Sequence, residues 1–139
     1  MTGLQTPAAD APAEEWGRLA VSIPGWRWPW TCSHTEVCPP MPGFVWLDGA
    51  WCYTDDITPV ARFSRERAIP DPDHWAWEGW LLRLLESADP RPYRRPGGLW
   101  VVATGPGVAF EPDRLQPRTL GRAAIAAAAA LGRWPGGEG

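Results

Sequence analysis

Lysine is absent: all 13 basic residues of this 139-residue chain are arginine. That excludes chemistry built on a Schiff-base lysine or on the lysine of a phosphate-binding loop. Cysteine is scarce and odd in number, at 3 residues, which argues against a disulfide-stapled secreted scaffold. No apolar run approaches the length of about eighteen residues that a membrane span needs, and residues 1–10 have neither a basic start nor an apolar stretch of signal-peptide type. The expectation is a soluble protein made without export, working in the cytoplasm with no membrane contact. The net charge of -3 provides no bulk attraction to nucleic acid.

Tryptophan, in contrast, is abundant. Glycine and proline together make up 32 of the 139 residues, a composition that leans towards disorder, but 11 tryptophans supply enough apolar surface for a core. The chain therefore reads as one domain over residues 13–134, built of short elements joined by proline-punctuated loops, between a flexible leader at 1–12 and a flexible tail at 135–139.

Trp16, Leu19, Ala20 and Ile23 recur at helical spacing and Pro24-Gly25 halts the pattern, which predicts a first helix over 13–23. Trp26, Trp28 and Trp30 then alternate as on an extended arm or edge strand, since Pro29 denies a ladder hydrogen bond. A loop at 31–43 precedes a hairpin of strands 44–47 and 51–54 around Asp48-Gly49, and a short extended piece at 58–63 follows. Asp71 as N-cap, Pro72 at the first helical position and the stripe Trp77, Trp80, Leu81, Leu84 and Leu85 predict a helix over 72–88. Beyond a loop at 91–98, strands 99–103 and 108–111 bracket Thr104-Gly105-Pro106-Gly107 as a second hairpin. Thr119 caps an alanine-rich last helix that runs to Leu131 and stops at Gly132, with Trp134 folding back on the core. The class is α+β: a small antiparallel sheet of two hairpins, covered by the helix at 72–88 and the alanine-rich helix, with the first helix at the margin.

The order Pro24-Gly25-Trp26-Arg27-Trp28, Met41-Pro42-Gly43, Ile69-Pro70-Asp71-Pro72-Asp73, Trp100-Val101-Val102 and Leu120-Gly121-Arg122-Ala123-Ala124-Ile125-Ala126 resembles small uncharacterised proteins of tailed bacteriophages and prophages. The second half is similar to the phage ABA sandwich domain, in which a helix, a hairpin carrying Trp and aliphatic residues and an alanine-rich last helix follow one another. The resemblance covers roughly residues 15–135 and implies fold and provenance. It offers no catalytic residue to carry over, and the Cys32/His34/Cys38 insertion and the tryptophan load depart from its pattern.

Five groups of residues carry candidate chemistry or binding. Cys32, His34, Cys38 and Cys52 could complete a tetrahedral structural zinc site, although the spacing lacks a paired Cys-x2-Cys knuckle, and reduced thiols are the better-supported alternative. Cys32, Cys38 or Ser33 with His34 or His74 supply the ingredients of a catalytic dyad without a motif that would arrange them. The pairs Asp55/Asp56 and Asp71/Asp73 read as turn and helix-capping residues rather than cation ligands. Arg91, Tyr93, Arg94 and Arg95 gather guanidinium groups and a phenol in one loop suited to an acidic or phosphate-bearing partner, against the alternative of a solvated loop. Trp26, Trp28 and Trp30 either fold over the domain or form a protein-binding patch.

Together these observations predict a non-enzymatic phage or prophage accessory protein that needs no cofactor. It binds a protein, either a copy of itself or a host target, through the Trp26 to Trp30 arm and the Arg91 to Arg95 loop. The alternative is a zinc-stabilised module contacting nucleic acid, and a small hydrolase-type enzyme ranks third.

Overall fold

The computed structural model describes residues 5–8, 10–28, 36–37, 43–47, 50–53, 63–64, 68–86, 90–94, 100–103 and 120–137. Three helices appear among them, α1 (Ala13–Ser22), α2 (Trp75–Leu84) and α3 (Leu120–Leu131), followed by a 3-10 turn at Pro135–Gly137. The strands are β1 (Glu36–Val37), β2 (Gly43–Leu47), β3 (Ala50–Tyr53), β4 (Phe63–Ser64), β5 (Ala68–Pro70), β6 (Arg91–Arg94) and β7 (Trp100–Ala103). All pairings are antiparallel, in the orders β3-β2-β5, β6-β7 and β1-β4. This is the α+β class that the sequence implies.

β2 and β3 form the first hairpin, with Leu47 opposite Ala50; Asp48 and Gly49 between them lie outside the described residues. β5, which the sequence reading did not foresee, pairs with the other edge of β2 through Phe44 and Ile69. The second β-pair also differs from the expectation. β7 pairs with β6, inside the stretch read as a loop, with Arg94 opposite Trp100 and Arg91 opposite Ala103. Pro92 is compatible with this, because among the described residues β6 pairs with β7 alone, and a strand with an unpaired edge can do without one donor. The expected strand 108–111, the extended residues 58–62 and the Thr119 cap fall outside the described residues.

α3 is the centre of the molecule. Its residues from Gly121 to Ala129 are all buried, and it packs against α1, α2 and β7. A helix apolar on every side belongs in the interior, and alanine permits neighbours to approach on each side. α1 is not marginal: its Trp16, Ala20 and Ile23 are buried in the common core, and it packs on both β5 and α3. Gly132, at φ 79°, ends α3 as expected and accepts the left-handed backbone a side chain resists. Trp134 then turns back and is fully buried; its indole N–H donates to the Ala20 carbonyl at 2.9 Å and its backbone N–H to Pro24 at 2.7 Å.

The segment from Ile69 to Pro72 runs buried between α1 and α3. Gly17 of α1 sits so close to the Pro70 carbonyl, and Gly121 of α3 to the Pro72 carbonyl, that a Cβ at either position would overlap backbone. This confinement delays the start of α2. Asp71, expected as its N-cap, instead accepts the Asp73 N–H on Oδ1 at 3.0 Å in a local turn. The helix begins three residues later than predicted, with His74 as N-cap: His74 Nδ1 accepts the Ala76 N–H at 3.1 Å. The stretch expected to form the leader touches the core twice. The Trp16 indole N–H donates to Ala8 O at 3.0 Å, and Arg122 donates to Ala11 O at 2.6 Å.

Candidate functional site

α2 has two faces of opposite character. Trp77, Leu81, Leu84 and Leu85 are buried, and Trp80, half-buried, donates its indole N–H to the Arg27 carbonyl at 2.8 Å. That bond ties the helix to the arm that follows α1. On the same side the Trp26 ring stacks on Trp77 at 6.1 Å and meets Trp134 edge-on at 5.8 Å, while Trp28 lies edge-on to both Trp26 and Trp77, at 5.4 and 6.2 Å. Such offset and T-shaped contacts suit the indole quadrupole. Of the two alternatives for the arm, Trp26 and Trp28 show the one folded over the domain; Trp30 lies outside the described residues.

The outer face carries Trp75, Gly79, Leu82 and Arg83, which helical spacing sets together opposite Trp77 and Leu81. Trp75 is 77% exposed, the most exposed large apolar side chain among the described residues, while Trp46 on β2 is 42% exposed. The Trp75 ring stacks on His74 at 5.5 Å. One turn on, Gly79 has nothing among the described residues within 4 Å of where its Cβ would be. Leu82 is half-buried and Arg83 is exposed. A bare glycine inside a helix costs about 1 kcal/mol relative to alanine, and among the described residues no packing requires it here.

A partly buried charge cluster anchors the entry to α2, pairing buried Arg122 with the partly exposed Asp73 two residues before the helix. Arg122, 6% exposed, holds the Asp73 carboxylate with two parallel bonds of 2.8 Å, from Nε to Oδ1 and from Nη2 to Oδ2. Its Nη1 reaches Ala11 O. Next to it, the Glu78 carboxylate accepts the backbone N–H of Gly121 at the start of α3, a helix with no acidic residue of its own in the first turn. Burial pushes the Glu78 carboxyl above its usual range and the nearby Asp73 adds to this, while the Gly121 hydrogen bond and His74 oppose it. Asp73 thus serves as an ion-pair partner for α3 rather than as a cap, and His74, whose favoured reading is a solvated first-turn residue rather than a dyad member, is the half-buried N-cap of α2.

The other candidates are placed as follows. Cys32, His34 and Cys38 lie outside the described residues, and Cys52 is placed only by its backbone, opposite Val45 in the β2-β3 hairpin. Among the described residues, no three His, Cys, Asp or Glu side chains gather as metal ligands. Arg91, Tyr93 and Arg94 belong to β6 rather than to a loop, with Arg91 exposed, and Arg95 lies outside the described residues. Asp55 and Asp56 lie outside them as well. An open depression of about 530 Å³ between the N-terminal segment and α1 is lined by Thr6, Pro7, Glu15, Arg18, Leu19 and Ser22; the Ser22 hydroxyl there donates to Leu19 O at 2.7 Å. No helix among the described residues is long and apolar enough to cross a membrane.

Trp75 and Gly79 were not singled out from the sequence. The signal was available in the spacing: with Trp77, Leu81, Leu84 and Leu85 facing inward, a large aromatic at position 75 has to face outward. Arg122 was hidden by its setting in an alanine run, where a single arginine reads as the solvent edge of a helix. Compared with known proteins, the chain matches no family model, no curated protein and no solved structure.

Proposed function

We propose that this is a non-enzymatic accessory protein of bacteriophage or prophage type, which works inside the bacterial cell by binding another protein through the outer face of α2. One observation carries the reading: an indole 77% exposed on a helix whose first turn is anchored by the Arg122–Asp73 pair and the His74 cap. Burying a tryptophan on a rigid element costs little ordering entropy and yields a large apolar contact, which is why such residues dominate interface hot spots. Tryptophan also appears unevenly used here: Trp26 and Trp28 are committed to packing within the chain, whereas Trp75 is not. The phage resemblance of residues 15–135 supports the provenance. No cofactor enters this mode of action.

The test compares the full chain with Trp75→Ala, both immobilised at equal density and exposed to host-cell extract and to the soluble protein itself. The reading expects a defined protein, of either source, to be retained by the native chain and lost with the variant. Equal retention by the two, or retention of nothing, would contradict it.

A further inference from the structure

The N-terminus of α2 is closed by a group that a single proton can disable. His74 Nδ1 accepts the Ala76 N–H at 3.1 Å, so in this arrangement the ring is neutral, with its lone pair on Nδ1 and its hydrogen on Nε2. When Nδ1 takes up a proton from solvent, both ring nitrogens become donors and no acceptor is left for Ala76. The usual capping residues serine, threonine and asparagine keep their acceptor oxygen through the same change of pH. His74 is half-buried, so water reaches it. We propose that His74 is a pH-operated latch: its neutral ring caps α2 and holds the Trp75 indole stacked, and its protonation in mild acid opens the cap and releases the indole. The latch is a property of the chain by itself and holds independently of the binding reading above.

The surroundings confine the movement to the stretch from His74 to Ala76. Upstream, Asp73 is held by two bonds from Arg122, and the His74 backbone N–H donates to Asp71 O at 3.1 Å. Downstream, Trp77 is buried and its N–H donates to the His74 carbonyl at 3.0 Å, a bond between backbone atoms that protonation leaves in place. Between these fixed points the Trp75 ring lies against the imidazole, with 30° between the planes, so a departing imidazole changes the setting of the indole. The charged groups beside His74 indicate where its ring goes. Asp71, Asp73 and Glu78 flank it from the entry and first turn of α2, and Arg122 reaches in from α3. Asp73 is engaged by Arg122 on both oxygens, and buried Asp71 accepts the Asp73 N–H. Glu78, one turn on, is close enough to attract a charged imidazole; with the Gly121 N–H on its carboxylate it keeps capacity for a further donor. The positive end of the helix dipole also repels a charged ring from the cap position. The protonated ring therefore exchanges the Ala76 N–H for the Glu78 carboxylate.

Heteronuclear NMR of the full chain from about pH 8 to about pH 5, the span in which imidazole titrates, tests the latch. The ring C–H signals of His74 are identified by their absence from His74→Asn, the other histidine of the chain being His34. Asparagine caps helices well and has no proton to gain in this range, so the variant keeps the fold. In the native chain the Ala76 amide proton is expected to move upfield on acidification, as a proton leaving its acceptor does. The Trp75 indole signals should shift along the same curve, with the midpoint of the His74 ring, while the Trp77 amide holds its position. Protection of the Ala76 amide from hydrogen exchange, taken against its intrinsic rate at each pH, should drop about five-fold, the equivalent of an average N-cap. In His74→Asn the Ala76 and Trp75 signals should lack the step. An Ala76 amide that does not follow the His74 ring would overturn the proposal. The same step persisting in the asparagine variant would overturn it too, by assigning the titration to a neighbouring carboxylate.

Discussion

Two indoles in the same aromatic cluster are held in different ways, and their replacement should separate them. Trp134 is fully buried and its N–H donates to the Ala20 carbonyl, which the Ile23 N–H also meets at 3.4 Å, so Trp134→Phe leaves a cavity and removes that carbonyl's shorter bond, costing about 2–3 kcal/mol. Trp26 Nε1 is buried with no hydrogen-bond partner among the described residues. Trp26→Phe removes that unpaired atom along with some volume and should cost less than about 1.5 kcal/mol. Urea unfolding of the two variants checks the order, and equal losses would be at odds with it. For Arg122, replacement by methionine keeps the apolar stem but removes the donors to Asp73 and Ala11. Because the Asp73 side chain is 34% exposed and stays partly solvated, the loss should be about 2 kcal/mol rather than the 3–5 kcal/mol of a fully buried pair. Glu78 supplies a pH signature. Its carboxyl is raised in the fold, chiefly by burial, so the folded chain holds that proton more tightly than the unfolded one. Its contribution is fully present below the ordinary glutamate range and is lost as pH rises through the raised value. Glu78→Gln keeps an oxygen for the Gly121 N–H and does not ionise. The thermal midpoint of the native chain, relative to this variant, should therefore fall with rising pH across that window, and a flat difference would exclude the assignment.

At the scale of elements, the readable parts of the sequence were those with local periodicity or punctuation. α1, the β2-β3 hairpin and α3 lie within a residue or two of their predicted spans, because Pro24-Gly25, Asp48-Gly49 and Gly132 act on their immediate neighbours. The misreadings trace to contacts distant in sequence. Ile69-Pro70-Asp71-Pro72 looks like a helix start, yet it forms the end of β5 and a turn confined between Gly17 and Gly121, and only the fold brings those glycines together. Arg91 to Arg94 looks like a solvated loop because its composition is polar, yet it gains strand structure from β7, whose Val102 is buried. Of the candidate site, Trp75 was legible from helical spacing, whereas the Arg122–Asp73 clasp joins residues 49 positions apart and had no local signature. One substitution tests the confinement. Gly121→Ala should improve helix propensity by about 1 kcal/mol, but its Cβ would overlap the Pro72 carbonyl. Backbone cannot rotate aside as a side chain can, so the net effect should be a loss of about 2 kcal/mol in chemical denaturation. A gain would show that the segment is not clamped there.

For the whole molecule, the described tryptophans divide between buried packing and an exposed helix face, the face that the proposed function uses for contact. Trp16, Trp77 and Trp134 are buried around the alanine-rich α3, with Trp26 and Trp28 closing over them. A central helix of small residues has little apolar bulk of its own, so large rings from α1, α2 and the C-terminal turn fill the space around it. The same α2 that turns Trp77 inward turns Trp75 outward. On the proposed binding reading, the rigidity that serves the core also presents the contact surface, and variants of its outer face should change association while leaving the packed side of the helix intact.

The most direct test of this division is fluorine NMR of the protein with all 11 tryptophans replaced biosynthetically by 5-fluorotryptophan, the Trp75 signal being assigned through Trp75→Phe. Trp75 should resonate as a solvent-exposed ring and be the signal that shifts or broadens most as a partner is added, whether a second copy or a host protein, while Trp16, Trp77 and Trp134 hold their positions. A Trp75 signal that stays fixed while the partner binds, or a partner that moves the core signals instead, would contradict it.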